Sequence, residues 1–257
     1  MADDLLYRVE NGIAYFTINR EAKRNSISSE VVSLFMKYLD EAENDEKVIV
    51  ISVTGAGEKS FCSGADLGGG TVMSDDQADS FQAYANLLKR MASYPKPTVA
   101  RVNGYCLAGG TGFMLACDIV IATDTAKFGT PEVNVGLFPM MIGSLIFRNV
   151  LKKKAMEMVL LGDKLTAQEA LDIGMVTRVV PQDKLDEEVN AILAKLATKS
   201  PIGMKIGKEA FYQVADLPFE KAIDILAGKI KEVASTEDAV EGITAFIEKR
   251  QPDFKGK

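Results

Sequence analysis

The stretch Gly104–Asp118, GYCLAGGTGFMLACD, holds four glycines, two of them adjacent, and then runs on like the opening of a buried helix. Glycine costs a helix interior about 1 kcal/mol relative to alanine, so bare backbone here needs a reason of its own. Two reasons compete. Without a Cβ, main-chain N–H groups can approach a ligand closely, or a helix can lie tight against a strand. The segment follows the strand-like run TVARV (98–102), and a second glycine-bearing loop, SGAD (63–66), follows the β-branched run KVIVISV (47–53). In layered α/β sheets, strand ends deliver neighbouring loops to one crevice. Two N–H groups aimed at one point there would hold a developing oxyanion, and removing one such donor costs about 3–4 kcal/mol, or about 10²–10³ in rate. For one glycine pair taken alone, tight packing is the stronger explanation. A dinucleotide loop does not fit: Gly110 and Gly112 are followed by Leu115 where G-x-G-x-x-G needs its third glycine. A Walker loop fails for want of Gly-Lys-Ser/Thr.

Outward from this segment, LLYRVENGIAYFTINR (5–20) carries two short alternating runs around Asn11 and Gly12, a hairpin signal. The next segment, 28–45, has helical spacing, with Val31, Leu34, Phe35, Tyr38 and Leu39 on one side. Residues 77–94 predict another helix, ended by Pro95 and Pro97, and DIVIAT (118–123) a further strand. AGEKSFCSGADLGGG (56–70) reads as loop and KFGTPEVNVGLFPMM (127–141) as irregular and turn-rich. Thr166 and Glu169 fit a capping box. From about residue 182 the chain reads as helix, interrupted at Pro201 and Pro218. Alternating strands and helices followed by helices alone predict an α/β layer with a helical tail. The apolar stripes of 202–215 and 219–234 require cover from this subunit or a neighbour.

Composition narrows the chemistry. The 257 residues include no histidine, which removes Ser-His-Asp and Cys-His catalysis and argues against a catalytic zinc. Acid–base work then falls to Asp, Glu, Lys, Tyr, Cys or water. The net charge of −6 argues against a nucleic-acid binder. Three cysteines at irregular spacing form neither a disulfide framework nor a zinc pattern, and no segment reads as a signal peptide or membrane span; the expectation is a cytoplasmic protein.

Five ordered segments, SFCSGADL, NGYCLAGGTGFMLACDIVIAT, KFGTPEVNVGLFP, LTAQEALDIGMVTRVV and AFIEKRQPDFKGK, together resemble the crotonase, or enoyl-CoA hydratase/isomerase, family over nearly the whole chain. The resemblance implies an α/β fold: a spiral of ββα turns over 1–200 and a C-terminal helical region over 201–257 that builds trimers, commonly paired into hexamers. It implies an acyl-CoA thioester whose carbonyl is polarised by the N–H groups of Ala65 and Gly109, with coenzyme A part of the substrate and no separate cofactor or metal. It places Ser63, Asp66, Leu67 and Gly110 beside the thioester, Met140 and Met141 in the acyl pocket, and residues 71–91 in the rest of the acyl wall. Lys23 and Arg24 fall where the family approaches the coenzyme A phosphates or adenine, and Phe246 and Lys249 where a neighbouring subunit approaches it.

The sequence departs from the family's hydratases at one acid. Those members resemble a two-glutamate scheme; here Glu132, in FGTPEV, is retained, and the other position maps to Gly112. A lone carboxylate can move a proton between two carbons, as in the family's 3-enoyl-CoA isomerases. An apolar setting among Val133, Val135, Leu137 and Phe138 would raise the Glu132 pKa and suit it to that task. Asp66, Thr111, Tyr105 and Asn134 are possible polar helpers, with Asp66 and Asn134 read first as turn residues. Bland readings compete at each position: Glu132 as a helix-start carboxylate, the methionines as core filler, Lys23 as a solvated charge, Cys62 and Cys106 as packing. Double-bond isomerisation leads narrowly over hydration with one acid; a non-catalytic coenzyme A- or RNA-binding relative is the remaining alternative.

Overall fold

The computed structural model describes residues 3–66 and 75–257, the side chains of 75–78 excepted. In chain order the strands are β1 (Leu5–Glu10), β2 (Ile13–Ile18), β3 (Val50–Gly55), β4 (Ser60–Cys62), β5 (Thr98–Val102), β6 (Tyr105–Leu107), β7 (Ile119–Thr123), β8 (Lys127–Gly129), β9 (Leu165–Thr166) and β10 (Arg178–Val180). Helices α1 (Ser29–Asn44), α2 (Asp75–Ala92), α3 (Gly109–Leu115), α4 (Met140–Asn149), α5 (Lys152–Leu161), α6 (Ala167–Asp172) and α7 (Leu185–Ala197) alternate with them, and α8 (Pro201–Val214), α9 (Phe219–Ala234) and α10 (Glu237–Glu248) close the chain.

Two sheets form. The larger has the order β1-β2-β3-β5-β7-β10, the smaller β4-β6-β8-β9. Asn11 and Gly12 both take positive φ, the condition for a two-residue hairpin turn, and set β1 antiparallel to β2 with Glu10 opposite Ile13. From β2 to β10 the larger sheet is parallel. Its near-continuous apolar runs suit a sheet covered on both faces. On one side lies the main core, which includes Phe16, Phe35, Phe61, Phe113 and Phe128. On the other, Val50, Val99 and Ile121 pack under Leu185, Val189 and Leu193 of α7.

The chain repeats one unit. β3, β4 and α2 form one turn, β5, β6 and α3 the next, and β7 and β8 lead into a third: each strand of the large sheet is followed by a short strand of the small one. This is a ββα spiral. It corrects the sequence reading at three places. Ser60–Cys62, Tyr105–Leu107 and Lys127–Gly129, read as loop, helix approach and irregular segment, are strands. At three residues each, they are too short to show a two-residue alternation, and only their neighbours in space define them.

The alternating pattern and the helical spacings are recovered elsewhere. α1 buries Val31, Val32, Phe35, Leu39 and Ala42, and Ser28 caps it by accepting from the Val31 N–H at 3.2 Å. Thr166 and Glu169 form the reciprocal capping box that opens α6. Pro201 is the first residue of α8 and Pro218 the N-cap of α9.

Arg20, with only 9 % of its side chain exposed, ties the N-terminal strands to the loop after β4. Its guanidinium donates to Asp4 at 2.9 Å, to Asp66 at 2.7 Å, and to the carbonyl and hydroxyl oxygens of Ser26 at 2.7 and 2.9 Å. Asn25, fully buried at positive φ, donates to the carbonyls of Ala56 and Ser60 at 3.0 and 2.6 Å. Arg20→Ala is expected to destabilise the fold by about 2–3 kcal/mol. That lies below the usual cost of breaking a fully buried pair because Asp4 and Asp66 keep some contact with water. Urea unfolding checks it; a midpoint unchanged from wild type would show the cluster to be ornamental.

No helix among the described residues is long and apolar enough to cross a membrane. α8 is joined to the body by Lys208, whose ammonium pairs with Asp118 and donates to the Lys96 carbonyl at 3.1 Å. α9 buries none of its residues, leaving Phe219, Ile223 and Ile230 exposed.

Candidate active site

β4, β6 and β8 run parallel in the small sheet, so their C-terminal ends lie side by side. Those ends lead into three segments: Ser63–Asp66, Ala108–Gly110, and Thr130 followed by the 3₁₀ turn Pro131–Val135. The sequence reading had the two glycine loops converge through the strands of the large sheet. They do converge, but it is the small sheet that delivers them, and it brings Glu132 to the same edge.

The first loop is pinned by a parallel bridge between Ile27 and Ala65. Ile27 N–H donates to the Gly64 carbonyl at 2.8 Å and Asp66 N–H to the Ile27 carbonyl at 3.0 Å. In such a bridge the N–H of the residue between, Ala65, faces the opposite side. The second loop begins a helix: Gly109 is the first residue of α3, and the first N–H groups of any helix have no intrahelical acceptor. The two loops touch. A Cβ placed on Gly64 would stand 2.6 Å from the Ala108 Cβ and 3.2 Å from the Gly109 nitrogen. The Ser63–Asp66 loop therefore packs against the start of α3, and among the described residues neither the Ala65 nor the Gly109 N–H has a backbone partner.

The four glycines of Gly104–Asp118 turn out not to be there for their backbone angles. Each has a negative or extended φ; the positive φ belongs to Ala108, at φ 51° and ψ −128°. An alanine there stores about 1–3 kcal/mol of strain. The glycines serve close approach instead. A Cβ on Gly104 would run into the Lys59 carbonyl, and one on Gly110 into the carbonyl oxygen and Cβ of Cys62. At Gly109 it would meet Ile27 Cδ1 at 2.9 Å, and at Gly112 Ile142 Cγ2 at 2.5 Å and the Tyr84 hydroxyl at 2.6 Å. Close packing is thus observed at all four, and the Gly109 N–H, at the start of α3, has no intrahelical acceptor.

Glu132 is half-buried in the 3₁₀ turn, and its Oε2 is buried with no hydrogen-bond partner among the described residues. Burial raises its pKa above the ordinary carboxylate value, opposed only by its own backbone N–H. Of the four residues expected to supply that apolar setting, only Val133 is half-buried. Val135, at the end of the 3₁₀ turn, and Leu137 and Phe138, beyond its left-handed Gly136 cap, stand exposed. The identified neighbour is Tyr84, whose phenol feels the Glu132 charge. Tyr84 is itself buried, and its pKa is driven well up, first by burial.

The other expected residues are placed as follows. Gly110 is buried against Cys62, and Ser63 N–H donates to the Arg24 carbonyl at 3.2 Å. Asp66 holds its turn through Arg20 and also meets the Lys23 ammonium at 3.2 Å, so its first role is structural. Lys23 and Arg24 are exposed beside the Ser63–Asp66 loop. Leu67 and residues 71–74 lie outside the described residues. Met141 packs on the core, whereas Met140 is 74 % exposed. Phe246 is 83 % exposed on α10 and Lys249 is that helix's left-handed C-cap, both borne on the tail helix farthest along the chain.

Thr111 donates to the Cys106 and Gly129 carbonyls, both at 3.2 Å, and Asn134 to the Gly162 carbonyl at 3.3 Å; neither is a spare helper. Tyr105 is exposed under the Lys164 ammonium. Cys62 and Cys106 are buried, with the Cys62 thiol pushed up to about 12 by burial, which makes them packing groups rather than nucleophiles. Tyr84 escaped the sequence reading. It shares the inward stripe of α2 with Leu87, Leu88 and Met91, which is how any core aromatic would look.

A ββα spiral whose small sheet gathers two glycine loops and a carboxylate defines a class of acyl-thioester enzyme. A family model for enoyl-CoA hydratase/isomerase matches residues 8–257, and the chain belongs to that family, the crotonases. It is 33 % identical over 255 residues to 2,3-dehydroadipyl-CoA hydratase of Escherichia coli (strain K12), covering 99 % of each chain. It is also 33 % identical over 258 residues to the short-chain-enoyl-CoA hydratase of Clostridium acetobutylicum, again over 99 % of each. Among solved structures, an enoyl-CoA hydratase from Bacillus anthracis superposes with a TM-score of 0.94 at 30 % identity, covering 99 % of this chain and all of the other. The protein is therefore an enzyme of the hydratase/isomerase type.

Proposed function

We propose that this enzyme binds an unsaturated acyl-CoA with its thioester oxygen between the N–H groups of Ala65 and Gly109, and that Glu132 moves the double bond. The carboxylate takes a proton from the carbon next to the thioester, the electron pair spreads onto the oxygen, and the protonated acid returns the hydrogen two carbons further along. Mass and charge balance without water or any cofactor beyond the coenzyme A of the substrate. The observation that carries this reading is the pairing of a half-buried carboxylate, whose Oε2 has no hydrogen-bond partner among the described residues, with a glycine at position 112. Burial raises the pKa of a carboxylic acid, the direction that suits it to accept and return a proton.

Hydration is the second reading, favoured by the likeness to the two hydratases of Escherichia coli and Clostridium acetobutylicum. In it Glu132 alone takes a proton from water and delivers one to the acyl carbon. A panel of 2-enoyl-, 3-enoyl- and cyclic dienoyl-CoA thioesters, followed by product mass, separates the two: isomerisation leaves mass unchanged and hydration adds one water. Turnover of none of the panel would sink both.

The assembly belongs to the same proposal. The bare apolar side of α9, with Phe246 and Ile247 on α10, supports a homotrimer or a dimer of trimers. Phe246 and Lys249 would then reach coenzyme A from a neighbouring copy, and Lys23 and Arg24 from the same chain.

A further inference from the structure

We propose that Tyr84 is a positioning residue of this site: its hydroxyl clamps the peptide that follows Gly109 and fills the room into which a side chain at position 112 would grow. The inference rests on the oxyanion-hole reading above and deepens it.

Three contacts carry it. The Tyr84 hydroxyl donates to the Gly109 carbonyl at 2.5 Å. The same oxygen stands 2.6 Å from where a Cβ on Gly112 would lie, and 3.2 Å from a Cβ on Gly109. The ring is held edge-on to Phe113 at 5.4 Å, one residue beyond Gly112. One phenol thus touches both glycines that bracket the first turn of α3. Its proton is committed, because the raised pKa keeps the phenol neutral and its donor engaged.

The consequence for Gly109 is mechanical. Glycine is the residue least able to hold its own ψ angle. Its neighbour Ala108 sits in a strained conformation that persists only where surroundings over-determine it. A charge-stabilising N–H is effective when it needs no reorganisation during the reaction. Tyr84 supplies the restraint from outside the loop, on a rigid helix, through the carbonyl on the far side of the glycine.

The consequence for position 112 is steric. Glycine there does not leave a vacancy awaiting an acid or a water. A glutamate at 112 would have its Cβ in collision with Tyr84 and Ile142 before its carboxylate was placed. The missing acid and the tyrosine are one coupled arrangement.

The test is infrared difference spectroscopy of a bound saturated acyl-CoA carrying ¹³C at the thioester carbonyl, which reads the oxyanion donors without turnover. The wild-type enzyme should show a carbonyl stretch lowered from its frequency in water. Tyr84→Phe should lose part of that lowering, with kcat down about tenfold to a hundredfold and KM within threefold, the pattern of an interaction realised in the transition state. Retention of both the wild-type frequency and kcat in Tyr84→Phe overturns the proposal. If the phenylalanine variant does not fold, 3,5-difluorotyrosine at 84 keeps the shape while making the phenol more acidic. The more acidic phenol is the stronger donor to the Gly109 carbonyl, so at neutral pH the thioester stretch should move from its wild-type frequency, and a wild-type frequency overturns the proposal. A wild-type carbonyl that shows no lowering at all would instead indict the oxyanion-hole reading, so the two failures are distinct.

Discussion

Glu132→Gln is expected to bind acyl-CoA with an affinity close to wild type and to turn it over about 10²- to 10⁴-fold more slowly, the contribution of a positioned acid–base group. Glutamine preserves the shape of the side chain but can neither take nor return a proton. The variant should also be the more stable protein at neutral pH. The Glu132 pKa is raised by burial, so the folded state holds the proton more tightly than the unfolded chain. Stability is therefore undiminished below the ordinary carboxylate value of 4.5 and is lost as pH rises through the folded-state pKa. The advantage of glutamine appears above that window and vanishes beneath it. In the wild-type enzyme the acidic limb of kcat/KM should fall above 4.5 for the same reason. Isothermal titration with a substrate, steady-state kinetics and melting curves across pH check the set. Wild-type turnover in Glu132→Gln would end the role of this carboxylate as proton carrier.

The second large effect is expected at a residue with no side chain. Gly64 has φ +94°, and an added Cβ would sit 2.6 Å from the Ala108 Cβ and 3.2 Å from the Gly109 nitrogen. Alanine there must push the two loops apart, since the obstacle on one side is a backbone-borne methyl and on the other a main-chain nitrogen. Loss of one oxyanion donor predicts a fall in kcat/KM of about 10²–10³, and the positive φ adds about 1–3 kcal/mol of strain. Kinetics and thermal unfolding of Gly64→Ala separate these: a folded variant with wild-type kcat/KM would mean that the loops do not act together.

Several features were legible because they are local. The hairpin at Asn11 and Gly12 follows from the φ values that only a few residues tolerate. The inward stripe of α1 follows from spacing, and the capping box at Thr166 and Glu169 from side-chain reach. Glu132 and the two glycine loops stood out because motif order along the chain carries the family resemblance. The small sheet was not legible. Its strands β4, β6 and β8 are three residues each, and nothing in so short a run distinguishes a strand from a turn until its partners are in place. Three of the apolar residues after Glu132 differ for the opposite reason: their composition says buried, but Val135, Leu137 and Phe138 stand exposed where the chain leaves the 3₁₀ turn through Gly136.

What the sequence by itself determined is the inventory: no imidazole, a glutamate at 132 beside a glycine-rich segment, and glycines where a backbone must come close. What only the tertiary structure decided is what those glycines come close to. Gly110 lies on Cys62, Gly112 faces Tyr84 and Ile142, and Gly64 meets Ala108, each pair drawn from separate turns of the spiral. A glycine announces that something needs room, but van der Waals contact is a property of pairs, and the partner is named only when the chain has folded.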